Sequence, residues 1–261
     1  MNKLKPLPEE WSGLLNNEQK EAIENINGPL LIIAGAGSGK TRVLTYRYAH
    51  LIKTYGINFE NVLAITFTNK AANEMKDRIS DLLNLELSPK WISTFHSLCV
   101  KMLRIHGHLI GFNNNFTIYD QSDSTKLVRN CMRDSDIDTK QYSPKRIQAH
   151  ISSLKNQRIL PGEAVEFAQS FFDVKVAEIY SSYQKKLMLA NSMDFDDLLI
   201  KAVELLETSD KSLNYWSSKF QYIMIDEYQD TNMVQYRLVE LLASKHKNCL
   251  LYTSDAADES R

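Results

Sequence analysis

Cysteine is scarce: Cys99, Cys131 and Cys249 are the only three in 261 residues, they lie far apart, and none forms a C-x-x-C pair. That spacing supports neither a disulfide framework nor a zinc site, and it points to a reduced, cytoplasmic setting. Long hydrophobic runs are missing as well. The longest, such as Pro29 to Ala36, fall far short of the ~18 residues that span a bilayer, so no membrane partner is expected. Met1 to Glu10 is polar and contains proline, which is not the basic-then-apolar pattern of a secretion signal. A charge excess of one sign is lacking too, with 31 basic residues against 32 acidic and a net charge of −1. There are no internal repeats or low-complexity segments. Apolar residues at 43% and charged residues at 24% are ordinary for a globular protein. That composition excludes a disordered chain, a collagen-like fibre and a coiled-coil rod. At ~150 residues per domain, the length suits one large domain or two small ones.

The neutral total hides an uneven distribution. Leu87 to Tyr119 contains no acid but carries Lys90, Lys101, Arg104 and three histidines. Thr139 to Leu160 also lacks acids and carries Lys140, Lys145, Arg146, Lys155 and Arg158. Such stretches form either solvated helix faces or a local basic surface that binds phosphates.

Short β-rich runs alternate with amphipathic stretches in the first third. Leu30 to Ala34, Val62 to Phe67 and Trp91 to Phe95 read as buried strands. Between them, Thr41 to Thr54 and Lys70 to Leu83 have helical spacing, with Ala71, Met75, Ile79 and Leu82 on one face and Gly56 suited to a helix stop. This alternation predicts an α/β fold with a parallel sheet. Asp120 to Ala190 shows helical patterns broken at Ser143-Pro144 and Leu160-Pro161-Gly162, and Phe220 to Ile225 returns as one more buried strand.

Ala34-Gly35-Ala36-Gly37-Ser38-Gly39-Lys40-Thr41 follows a strand and opens a helix, the context of a phosphate-binding loop. Glycines let the backbone curl its amides around phosphate oxygens, and the helix start adds its positive dipole end. Lys40 supplies a charge for the β- and γ-phosphates, and the Thr41 hydroxyl can ligate Mg2+. Ala34 replaces the first glycine of the strict pattern. Asp226-Glu227 ends the strand Phe220 to Ile225, so both acids emerge at the carboxyl edge of the sheet, where open α/β folds bind ligands. The first can hold the metal and the second can act as general base toward water. Together these residues predict ATP as the ligand.

Asp226-Glu227-Tyr228-Gln229-Asp230-Thr231-Asn232 resembles motif II of the UvrD/PcrA/Rep-type superfamily 1 DNA helicases, and the loop is similar to their motif I. Leu15 to Ala22 resembles their Q motif. That implies that Gln19 reads the adenine edge, although Asn16 and Gln19 also stand at the spacing of a helix cap. The resemblance places Arg42 with the nucleotide too. Ala64 to Ala72 resembles motif Ia, and Ser93 to Cys99 resembles the motif that follows it. In the family these loops touch single-stranded DNA, which implicates Thr66, Phe67, Thr68, Asn69, Thr94, Phe95 and His96. Aromatics, hydroxyls and a cation or histidine at a strand end suit base stacking and phosphate contact. The competing reading makes Phe67 and Phe95 core residues and Thr68-Asn69 a helix cap. Asp194-Phe195-Asp196-Asp197-Leu198 could pass for a metal cluster, but helix capping is the stronger reading.

The resemblance implies a P-loop, RecA-like parallel-sheet domain (1A) from 1–118 and 191–249, with an all-helical insertion (1B) at 119–190. The implied activity is ATP- and Mg2+-dependent 3′-to-5′ helicase or translocase action on single-stranded and 3′-tailed duplex DNA. The alternative is a nucleotide- and DNA-binding module without efficient hydrolysis, and a kinase is disfavoured by the Gln229-Asp230-Thr231 that follows the two acids. The pattern departs from the family at 250–261. Leu250-Leu251-Tyr252-Thr253 stands where a motif III glutamine is expected, and no glutamine follows. The expectation is an atypical tail and a missing second RecA-like domain, with little DNA-stimulated hydrolysis and no unwinding from these residues alone.

Overall fold

Alternating strands and amphipathic helices do fold into a parallel α/β arrangement. The computed structural model describes residues 4–35, 38–84 and 89–253. In chain order it begins with α1 (Glu9–Ser12), α2 (Asn17–Glu24), β1 (Leu30–Ile33), α3 (Lys40–Lys53), β2 (Val62–Thr66), α4 (Asn69–Leu83), β3 (Ile92–Thr94), α5 (Phe95–His106) and β4 (Thr117–Tyr119). It continues with α6 (Gln121–Asp134), α7 (Pro144–Asn156), α8 (Phe171–Leu189), β5 (Ser192–Asp194), α9 (Phe195–Thr208), α10 (Asp210–Lys219), β6 (Tyr222–Ile225), α11 (Met233–Ala243) and β7 (Cys249–Thr253). No helix among the described residues is long and apolar enough to cross a membrane. The chain divides into two compact units, one from Met1–Leu98, Leu213–Thr231 and Val239–Arg261, the other from Cys99–Ser212 and Asn232–Leu238.

The first unit holds a five-stranded sheet in the order β1-β7-β6-β2-β3. Every pairing in it is parallel, so all five strands end at one edge. Helix α4 starts at Thr68, whose hydroxyl accepts from the Ala71 amide at 3.1 Å. Its buried residues Ala72, Met75 and Ile79 recur at helical spacing. Met75 and Ile79 join Ile23, Val43, Leu44, Val62, Ala64, Met224 and Leu250 in a single core. Arg47 is buried within α3 and donates to the carbonyls of Ala22 and Asn25, at 2.6 Å each, where α2 ends. Those acceptors satisfy the guanidinium even though burial lowers its pKa to about 10.

Two strand expectations need correction. β1 is not buried on both faces: Leu31 and Ile33 are 54% and 61% exposed, while Leu30 and Ile32 pack against the core. The reason is its place at the edge of the described sheet. Leu250 to Thr253, assigned to the tail from the broken resemblance, lie in β7 between β1 and β6.

His50 on α3 is fully buried, with the Tyr55 ring edge-on to it at 5.2 Å. Burial, the leading cause, lowers its pKa. As pH falls below the ordinary histidine value of about 6.5, the unfolded chain therefore takes up the proton first. Stability should be complete above that value and decline below it, and His50→Phe should flatten the decline. Chemical denaturation at about pH 7.5 and about pH 5.5 checks this; an unchanged slope in the variant would assign the acid sensitivity to other groups.

In the second unit, α6, α7 and α8 pack Val128, Cys131, Met132, Ile147, Ile151, Val176, Ile179, Tyr180, Tyr183 and Leu187 into their own core. Flanking the helical stretch Asp120 to Ala190, β4 and β5, which the sequence does not signal, pair in parallel, Thr117 with Ser192 through Tyr119 with Asp194. Three residues are too few to display an alternating pattern. Asp194 caps α9, and a reciprocal capping box links it to Asp197. The same two acids do more than cap. Lys155, 0% exposed, places Nζ 2.7 Å from Asp194 Oδ2 and 2.8 Å from Asp197 Oδ1. Tyr183 donates to Asp194 at 2.8 Å, and Gln184 donates to Asp197 at 3.0 Å. Lys155 is thus neither a solvated face nor part of a basic surface. No cluster of acids, histidines and cysteines fit to hold a metal occurs among the described residues.

Candidate nucleotide site

Because all strands of the sheet run the same way, the loop after β1 and the acids after β6 emerge at the same edge, with β7 between them. The loop is anchored to β7 where the Ala34 amide donates to Thr253 O at 3.2 Å. It then turns, with the Ser38 amide donating to Gly35 O at 3.3 Å. Ala36 and Gly37 lie outside the described residues. Gly39 has φ +87, and a Cβ there would come 2.8 Å from Gln19 Nε2. The left-handed backbone is what requires glycine, since the Gln19 amide could shift away from a Cβ.

Helix α3 begins at Lys40. The Lys40 side chain is 11% exposed, and its Nζ lies 3.8 Å from Glu227 Oε2. Thr41 follows, half-buried, and Arg42 is exposed with its guanidinium donating to Leu14 O at 3.3 Å. Gln19 forms the helix cap that its spacing allows. Its Oε1 accepts from the Asn16 amide at 3.1 Å in a capping box, while its Nε2 donates to Ser38 O at 3.0 Å. A carboxamide carries two N–H groups and two acceptor lone pairs, so the side chain that braces the loop keeps capacity for a base edge.

Asp226 is buried at the end of β6, and its Oδ1 accepts from the Glu227 amide at 3.1 Å. Burial, reinforced by the charge of Glu227, raises its pKa against the opposing effect of Lys40. A buried carboxylate with incomplete compensation and a threonine hydroxyl, both following strands that end at the same sheet edge, are hard-oxygen donors of the kind that fits magnesium. Sequence reasoning missed Tyr252. β7 buries it in the core, where burial raises its pKa, partly offset by a hydrogen bond with the Ser38 side chain and with the Asp226 charge adding to the rise. No local pattern signals it, because strand order is what brings it beside Ser38 and Asp226.

The DNA candidates divide. Thr68 and Asn69 are exposed, and Phe67 and His96 are half-buried. Thr66 is buried, its hydroxyl donating to Thr68 O at 3.1 Å. Thr94 is also buried, bonded to the Ser97 hydroxyl at 3.0 Å. Phe95 as a base-stacking platform is corrected: it is 2% exposed, with the Phe67 ring edge-on at 6.1 Å. An aromatic opening α5 at the end of a buried strand is drawn into the core, which leaves Phe67 as the accessible ring.

Residues 15–257 match the UvrD/REP helicase N-terminal domain. The chain belongs to the UvrD/REP helicase family. Over 242 residues it is 47% identical to the ATP-dependent DNA helicase PcrA of Staphylococcus aureus, an alignment covering 92% of this chain and 33% of that protein. The ATP-dependent DNA helicase PcrA of Staphylococcus epidermidis matches with the same identity and coverage. The chain spans about a third of the length of the curated relatives it matches.

Proposed function

We propose that this chain is the ATP-binding part of a DNA helicase that hydrolyses ATP with Mg2+ and moves 3′-to-5′ along single-stranded DNA. The observation that carries the reading is the shared sheet edge. There the lysine of the phosphate loop reaches within 3.8 Å of the second acid after β6. Loop amides and Lys40 hold the β- and γ-phosphates, and Gln19 and Arg42 lie toward the base. Thr41 and Asp226 hold magnesium, which when bound offsets the charge of the phosphates. Glu227 accepts a proton from the water that attacks the γ-phosphorus. Family membership supports each of these roles.

The DNA would run over the loops after β2 and β3, with Phe67 stacking on a base and Thr68, Asn69 and His96 near phosphate or sugar. The helical stretch 119–190 would serve as an inserted domain, and a second RecA-like domain would pair with this one in a longer protein. Closing of such a pair around ATP, and reopening after hydrolysis, would move a single strand or the 3′ tail of a duplex.

Phosphate release measured with and without single-stranded DNA tests this reading. Stimulation by the strand supports it and overturns the expectation that these residues alone hydrolyse little. Nucleotide and DNA binding with no release would leave the binding-module alternative. Phe67→Ala should weaken single-strand affinity by roughly 1–3 kcal/mol for each base lost from the stack. Affinity of the parent should also fall with added salt as counterions are released on binding. Parent-like binding by the variant in a fluorescence-anisotropy titration would remove Phe67 from the interface.

A further inference from the structure

Glu227 is held more tightly than a general base by itself requires. Its backbone lies at φ 50, ψ 50, in the left-handed region that favours glycine. This kink opens a single helical turn over Tyr228–Asp230, closed by the Asp230 amide donating to Glu227 O at 3.1 Å. The turn brings Gln229 back toward the acid, and its Nε2 donates to Glu227 Oε2 at 2.6 Å. Lys40 Nζ stands 3.8 Å from that same oxygen. Gln229 thus hydrogen-bonds Oε2, and Lys40 adds a longer ion-pair contact to it. Strained backbone persists at a functional site only where surrounding contacts over-determine it. A donor fixed on one oxygen of a carboxylate also sets the direction of the other.

We propose that Gln229 is a positioning residue for Glu227. Its amide pins Oε2, so that Oε1 is the oxygen presented to the attacking water. Lys40 approaches the same oxygen only at 3.8 Å, beyond hydrogen-bond reach, so the Gln229 amide is the donor that holds the acid. A charge-assisted hydrogen bond of this length is strong enough for that role. The proposal rests on the hydrolysis reading above. In that step the water oxygen bonds to the γ-phosphorus, its proton passes to Oε1, and the bond to the bridging oxygen breaks to release ADP.

The test is single-turnover hydrolysis of ATP with Mg2+ and the full chain in excess, beside titration with a fluorescent ADP analogue. Q229A should bind the analogue with parent affinity and hydrolyse about tenfold more slowly, a fraction of the roughly 10²–10⁴-fold that a positioned base supplies. Q229E keeps the shape but replaces the donor with a second carboxylate, so it should be slower still. A packing role predicts the reverse order, with the isosteric Q229E close to the parent. Parent-like hydrolysis by Q229A, an isosteric variant as fast as the parent, or weakened nucleotide binding by Q229A would each overturn the proposal while sparing the hydrolysis reading. A parent chain that binds nucleotide but yields no phosphate would overturn that reading, and the proposal with it.

Discussion

Glu227→Gln should leave nucleotide affinity close to that of the parent while lowering single-turnover hydrolysis by about 10²–10⁴-fold, the contribution of a positioned general base. Lys40→Ala should abolish hydrolysis and also weaken nucleotide binding by about 1.5–3 kcal/mol, the worth of a hydrogen bond to a charged group. The two effects separate because the residues address different partners, phosphate for Lys40 and water for Glu227. Their 3.8 Å approach adds a second-order effect. Removing the Glu227 charge releases Lys40 for phosphate, so any change in affinity for Glu227→Gln should be toward tighter binding. Glu227 is 40% exposed, so solvent screening keeps that change small. Fluorescent-nucleotide titration checks both variants. Equal losses of affinity would mean that Glu227 shapes the phosphate site rather than acting on water.

The phosphate loop and Asp226-Glu227 are legible in sequence because their chemistry is local. A strand, glycines, Lys40-Thr41 and a helix start are contiguous, and two acids directly follow an apolar strand. Parallel strands then carry both groups to one edge without further information. Helices α3 and α4 are legible for the same reason, since helical periodicity over fourteen and fifteen residues leaves little choice of element. What fails to read is what depends on distant partners. Phe95 at a strand end looks the same whether it faces a base or the core, and only the Phe67 ring beside it decides. Tyr252 joins the Ser38–Asp226 neighbourhood through strand order, which no local pattern encodes. Lys155 sits in an acid-free stretch, so composition counts it as surface charge. Its partners Asp194 and Asp197 come from another part of the chain.

That buried cluster carries the largest stability effect expected in the second unit. Lys155→Met should destabilise the chain by roughly 3–5 kcal/mol, because it leaves two acids buried without their cation. The loss exceeds what the hydrogen bonds alone are worth, since each orphaned carboxylate then bears its desolvation cost. The effect should also depend on pH, with a definite sign. In the parent, burial pushes the Asp197 pKa up to about 6, against the pull of Lys155. Asp194 is held below its usual range: burial acts upward, but Lys155, the Asp197 amide and Tyr183 together outweigh it. Without Lys155 both acids lose their main stabilising charge, and the folded state binds protons at higher pH than the unfolded chain does. A folded state that binds more protons gains stability as pH falls. The deficit of Lys155→Met should therefore be largest near about pH 8 and shrink toward about pH 5, where the orphaned acids become neutral. Urea denaturation of parent and variant at both values measures it. Adding Asp194→Asn and Asp197→Asn to Lys155→Met should recover part of the deficit at the higher pH, because neutral amides cost less to bury than unpaired carboxylates. A deficit below about 1 kcal/mol, the range of exposed ion pairs, would mean that water reaches the cluster in solution. A deficit of the same size at both pH values would place its origin in lost packing of the lysine stem instead of in uncompensated charge.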